Sequence, residues 1–253
     1  MMFNWPLFIK ELREARWKWI IAGGFLLLTA VALPVLFPYM ETLLRGVSLP
    51  QSLSSLIEPQ VENYALYIWM NWYGKNLFQI ALVLAAVLGA SPITSEKARG
   101  SWEFLLSQPL SKKSVFFSKY FAGLSILILT TVIMTCSIVP LSRLADQSIN
   151  LGWFIRGLPV SIAAAAMIYS ISWLAGILLD DTLQAAVAGL ACLAGMIASG
   201  WIPQLEPISL TRHLAALKTM RTGMVDLAAF AVLTLVSTLI VIVSYTIFMK
   251  QNV

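Results

Sequence analysis

Residues 120–142, YFAGLSILILTTVIMTCSIVPLS, run for 23 residues without a charge. An α-helix of that length spans the roughly 30 Å of a bilayer's hydrocarbon core. Inside lipid each backbone N–H and C=O must pair within its own segment, so the run is read as a helix. Five more charge-free runs follow the same rule, at 19–40, 76–95, 157–179, 182–205 and 227–249, each of 20 to 24 residues. The alternation of polar and apolar residues that marks a membrane barrel strand is absent. Composition agrees. Of 253 residues, 59% are hydrophobic and only 11% charged, and mean hydropathy is +0.82. A soluble domain needs about 25% charged residues to cover its surface. A water-facing globule, a disordered chain and a nucleic-acid-binding domain are therefore excluded, despite a net charge of +5. The expected fold is an all-α polytopic membrane protein, one domain over 1–253 with six transmembrane helices.

Six crossings place both termini on one side. With the N-terminus inside, the inner segments carry ten Lys and Arg and the outer segments seven. Lys10, Arg13, Arg16 and Lys18 precede the first helix and only Arg45 soon follows it. By the positive-inside rule both termini are expected to be cytoplasmic. Ala30-Val31-Ala32 has the small-x-small look of a leader cleavage site. The long, mixed-charge stretch before it and the length of the apolar run read against cleavage. Cys136 and Cys192 fall inside predicted helices and read as small core residues. The loops differ in length: 41–75 is long, 96–119 is the largest inner loop, Asp180-Asp181 is minimal and 206–226 is intermediate.

Two segments outside the spans carry pattern. Residues 4–18 read as an amphipathic surface helix capped by Asn4, with Pro6 in its first turn. Trp5, Phe8, Ile9, Leu12 and Trp19 share one face; Lys10, Glu11, Arg13, Glu14 and Lys18 fall mostly on the other. Such a helix is expected to lie on the inner leaflet with its tryptophans at headgroup depth. The inner loop reads Ser95-Glu96-Lys97-Ala98-Arg99-Gly100-Ser101-Trp102-Glu103-Phe104-Leu105-Leu106-Ser107-Gln108-Pro109-Leu110-Ser111-Lys112-Lys113. Trp102, Leu105 and Leu106 recur at helical spacing and Pro109 ends the pattern. A short greasy helix bordered by charges, on the cytoplasmic side, should meet lipid or a partner protein. Ser111 or Ser114 can cap the helix that follows.

This loop resembles the cytoplasmic signature of ABC-2 type permeases, the membrane subunits of a class of ATP-binding-cassette transporters. The matching positions are Glu96, Arg99, Gly100, Glu103, Leu105, Leu106, Pro109 and Ser111, with Lys119 at the foot of the third helix. Pro207-Ile208-Ser209, His213, Gly223, Val225 and Asp226 are similar, more loosely, to a pattern in the copper-maturation and gliding-motility branch. The resemblance implies an exporter permease in the cytoplasmic membrane of a prokaryote. It implies a dimer with a second permease copy or paralogue, driven by a separate ABC ATPase subunit that uses the ATP and Mg. The chain itself would bind no cofactor and no nucleic acid, its other partner being membrane lipid. The 96–113 segment would be the coupling helix, with Glu96, Arg99, Gly100, Trp102, Glu103, Leu105, Leu106 and Pro109 at the ATPase interface. Pro207, His213, Gly223 and Asp226 would belong to an outer gate.

His213, the only histidine, reads from its surroundings as an interfacial loop residue rather than a metal ligand. Ala191, Gly195 and Ser199 set small residues at i, i+4 and i+8, a pattern that lets helix backbones approach within the subunit or between subunits. Thr234, Ser237, Thr238 and Tyr245 share one side of the last helix, where they would line a polar path or bond back to their own helix. Gly74-Lys75 is followed by Asn76, so no Walker A loop forms. No ionisable residue sits in the middle of a run, which disfavours an ion-coupled transporter. Intramembrane proteolysis would need a histidine in the helices or a His-Glu-x-x-His pair, and the sequence has neither. The expectation is a transport subunit without catalytic or metal-binding residues. A stand-alone secondary transporter or channel is the alternative, and a non-transporting membrane partner stays open.

Overall fold

The computed structural model describes residues 3–45, 60, 62–101, 110–198 and 216–251. Five helices of 24 to 35 residues are apolar and long enough to cross a membrane, and a sixth apolar helix is shorter. Helix α1 (Trp5–Glu14) starts at Asn4, whose Oδ1 accepts from Leu7 N at 2.9 Å. It gives way at Ala15 to α2 (Arg16–Arg45). Helix α3 (Tyr64–Asn71) passes through a π-helical turn, Trp72–Asn76, into α4 (Leu77–Ala98). Next come α5 (Lys112–Leu144), the short α6 (Leu151–Phe154) and a 3-10 turn, Ile155–Gly157. Then follow α7 (Leu158–Leu178), α8 (Thr182–Ala198), α9 (Leu217–Thr222) and α10 (Leu227–Lys250).

The six apolar runs are helical where described, save Leu179 at the end of the fourth, and several helices outrun them. The second begins at Tyr64 rather than 76, because Asn71, Lys75 and Asn76 interrupt hydropathy but not helicity. A π turn leaves a carbonyl without its usual donor, and Asn76 Nδ2 donates to Asn71 O at 2.8 Å. Much of the expected 41–75 loop is therefore helix. Helix α5 extends the 120–142 run at both ends, and Ser111 is its cap, Oγ accepting from Ser114 N at 3.2 Å. Helix α8 occupies 182–198 of the run 182–205; the remainder lies outside the described residues.

Helices α4 and α7 form the centre. Two thirds or more of their most apolar stretches is buried within the protein, against a third or less for α2 and α10. Outer faces such as Phe25 and Leu28 of α2, and Val232 and Leu235 of α10, are left for lipid. The central pair meets backbone to backbone. A Cβ on Gly89 would stand 2.4 Å from Tyr169 O, and one on Gly176 would stand 2.7 Å from Ala90 O. Only glycine permits that approach, and in a membrane, where lipid is as apolar as Leu, close packing holds helices together. Bonds across the bundle are polar but paired: Trp72 Nε1 donates to Thr135 Oγ1 at 3.0 Å, and Tyr120 Oη, Ser170 Oγ and Ser237 Oγ form a chain with links of 2.8 and 2.9 Å. That chain accounts for Ser237; Thr238 bonds back to Thr234 O at 2.8 Å, as helical threonines do.

Both termini lie at one end of the bundle. There Asn4 N donates to Ser118 Oγ at 2.8 Å and Lys112 Nζ to Gln251 O at 2.8 Å. The far end is closed by aromatic rings, with Trp69 packed on Trp153 at 4.5 Å and Tyr73 donating to Phe154 O at 2.8 Å.

Candidate functional site at the charged end

The end that carries the termini concentrates charge, and the first turn past α4 shows why. Gly100 has φ +66, a backbone state that costs side-chain-bearing residues and suits glycine. Gly100 N bonds Lys97 O at 3.0 Å and Ser101 N bonds Glu96 O at 3.0 Å. This pair of bonds is the Schellman stop. Two residues of the loop signature, Glu96 and Gly100, thus terminate the helix at a fixed place. Trp102, Glu103, Leu105, Leu106 and Pro109 lie outside the described residues.

The Glu96 side chain turns inward. Its carboxylate takes a bond from Lys10 Nζ at 2.7 Å, a bond from Ser101 Oγ, and the Lys119 ammonium at 3.2 Å. Lys119, from α5, also bonds Glu11 of α1 and Pro92 O of α4, the latter at 3.1 Å. Lys119, Glu11 and Glu96 are all buried. Three elements far apart in sequence are thereby tied by two carboxylates around one ammonium. Charges withdrawn from water hold only when paired and hydrogen-bonded. Around this core Lys10 reaches Glu14 at 3.6 Å, and Arg99 reaches Glu14 at 3.7 Å. Lys97 pairs with Asp180 at 3.0 Å and donates to Ile177 O at 3.1 Å. Burial pushes the Glu11 carboxyl up, against the opposing pull of Lys119. Burial lowers the Lys10 ammonium, but its bond to Glu96 and the surrounding carboxylates outweigh this and leave it raised.

A small cleft opens beside the core, lined among others by Glu11, Glu14, Lys18, Ser91, Ser95 and Lys119, with room for a water molecule. Lys18 Nζ donates to Ser91 Oγ at 2.5 Å on its wall. The carboxylates of Glu11, Glu14 and Glu96 come within 4.8 Å of one another, a spacing that could hold a cation. Two ammonium groups, from Lys119 and Lys10, already supply the positive charge there.

The pattern of the N-terminal helix separated two faces but did not anticipate that part of the charged one packs inward: Glu11 is buried and Lys18 is drawn to α4, while Trp5 and Trp17 are 61% and 63% exposed. The reason is Lys119: a buried cation beside the Pro92 carbonyl needs counter-charge, and α1 brings it. The clue was a single Lys beside an apolar run, with Glu11 one of only two carboxylates in the first helix. Of the other anticipated residues, Arg99 borders the cluster. Gly223 and Asp226 lie at the opposite end in capping roles. Gly223, at φ +66, ends α9 and its carbonyl accepts from Arg156. Asp226 caps α10 through Ala229 N at 3.3 Å and pairs with Lys218 at 3.2 Å. Pro207, His213 and Ser199 lie outside the described residues. Ala191 and Gly195 are exposed, and among the described residues nothing beyond its own helix backbone comes within 4 Å of where a Gly195 Cβ would sit.

The fold and its charged end define a multi-pass membrane protein. A family model described as ABC-2 family transporter protein matches residues 5–253. The chain belongs to that family, and is a membrane permease component of an ABC-type transporter. Comparisons with the curated proteins and with the solved structures return no match.

Proposed function

We propose that the chain is the membrane half of an ABC-2 exporter, driven by a separate ATPase subunit that docks on the 96–113 segment. The supporting observation is the grip on Glu96. Force applied to residues 102–109 reaches their foot at Glu96 and Ser101. From there it passes through Lys119 to α5 and through Lys10 to α1. A rigid foot lets ATP-driven closure of the partner tilt spanning helices rather than bend a loop. Trp102, Glu103, Leu105 and Leu106 provide the contact, Arg99 borders it, and Pro109 ends it. ATP and Mg belong to the partner. Two permease copies assemble through the exposed Ala191–Gly195 face of α8, and the charged end faces the cytoplasm of a prokaryotic cell. Outward transport is the direction that the resemblance to ABC-2 type permeases implies.

The experiment is co-purification from mild detergent. An ATP-hydrolysing subunit should accompany the wild-type chain and be lost from the Leu105→Asp, Leu106→Asp variant, which still inserts in the membrane. Retention of the ATPase by that variant, or flux driven by an ion gradient through the purified chain alone, would overturn the proposal.

A further inference from the structure

The charged end holds more cations than its internal pairing uses. Among the described residues it carries ten Lys and Arg against five carboxylates, Glu11, Glu14, Glu96, Asp180 and Asp181. Each carboxylate is engaged inside the protein. Glu11 and Glu96 hold Lys119, Glu14 meets Lys10 and Arg99, Asp180 meets Lys97, and Asp181 Oδ1 accepts from Gln184 N at 2.8 Å. Arg13, Arg16, Lys113 and Lys250 are exposed, and no described carboxylate pairs with them. Two of these, Arg13 and Arg16, flank the α1–α2 junction. Arg16 stacks over the Trp17 ring at 5.7 Å, and Trp17 and Trp5 are the most exposed tryptophans among the described residues. The inward turn of Glu11 shapes this surface: of the two acids of α1, Glu11 is buried and the exposed Glu14 lies against Lys10 and Arg99, so neither pairs with Arg13 or Arg16.

We propose that the Arg13–Arg16–Trp17 junction is a binding surface for the headgroups of anionic phospholipid. Exposed indoles settle at headgroup depth, which sets the two guanidiniums level with phosphate oxygens, where a planar fork bonds phosphate through two donors. Among the described residues of this end, the carboxylates that would compete for those donors are engaged elsewhere. The inference goes beyond the proposed function, since it requires the membrane but not the ATPase contact.

The test uses the full chain reconstituted in phosphatidylcholine vesicles, with spin-labelled phosphatidylglycerol or phosphatidylcholine as probe. Wild type should associate with the anionic probe about threefold more tightly than with the zwitterionic one, and added salt should erode the difference. Arg13→Gln with Arg16→Gln should abolish most of the preference, and Arg13→Lys with Arg16→Lys should keep part of it. Equal association of the two probes with wild type would overturn the proposal. So would a preference that survives the double Gln variant, or one displaced by inorganic phosphate more strongly than by chloride of equal ionic strength. The salt response of wild type decides the matter if the double Gln variant does not fold.

Discussion

The Lys119 ammonium stands 3.2 Å from Glu96 Oε1, with both side chains almost wholly withdrawn from solvent. The pair joins the foot of α5 to the last turn of α4, and Glu11 closes it from α1.

Replacing Lys119 with Met should leave two buried carboxylates facing each other. Loss of one member of a buried ion pair costs about 3–5 kcal/mol. The detergent-solubilised variant should melt well below wild type, and adding Glu11→Gln should restore part of the loss. A Lys119→Met melting curve that overlays wild type would show that the cluster contributes no stability.

Gly89→Ala and Gly176→Ala should each force α4 and α7 apart, because the new methyl would meet backbone oxygens that cannot swing away. Overpacking of this kind costs about 1–3 kcal/mol. Gly24→Ala, with no described atom beyond its own helix backbone within 4 Å, should be neutral or slightly stabilising. Equal melting temperatures for all three would refute the close crossing.

Lys10 supplies a pH signature. Its ammonium is raised above the ordinary 10.5. A group whose folded pKa is raised contributes fully below its unfolded value and loses the contribution as pH rises through the folded one. The melting advantage of wild type over Lys10→Met should therefore hold steady at pH 8–9 and close above about 10.5. A gap that persists at pH 12 would count against the Lys10–Glu96 bond.

Cys192 sits exposed on α8 beside Ala191. If a second copy packs on this face, mild oxidation of the membrane-embedded protein should yield a disulfide-linked dimer. Gly195→Phe should suppress it. Absence of any crosslink with wild type, while the protein migrates as a dimer in detergent, would move the interface elsewhere.

The spans were legible because lipid imposes a length and an apolarity that few other structures satisfy. Tyr64 was not, since Asn71, Lys75 and Asn76 look like a loop until the side chain of Asn76 is seen repairing the π turn. The Schellman stop at Gly100 sat inside a recognisable motif, but its partner Glu96 could be placed only once Lys10 and Lys119 met it. Sequence spacing gives neighbours along one helix and is silent on which helices touch. For the same reason the small residues of α8 drew attention, although the glycines that set the crossing are Gly89 and Gly176. The pattern along α1 shows that two faces differ, but not that Glu11 and Lys18 of the charged one turn to the bundle.

The inward carboxylate of α1 has a bearing on biogenesis. Glu11 leaves the ribosome early, yet its counter-ion lies 108 residues further along the chain. Until the third span has entered the bilayer, α1 has only the end of α4 to hold it, through Lys10 and Glu96, and Glu11 has no counter-charge. The seat of α1 is thus completed late, and a nascent chain halted before Lys119 would leave Glu11 unpaired.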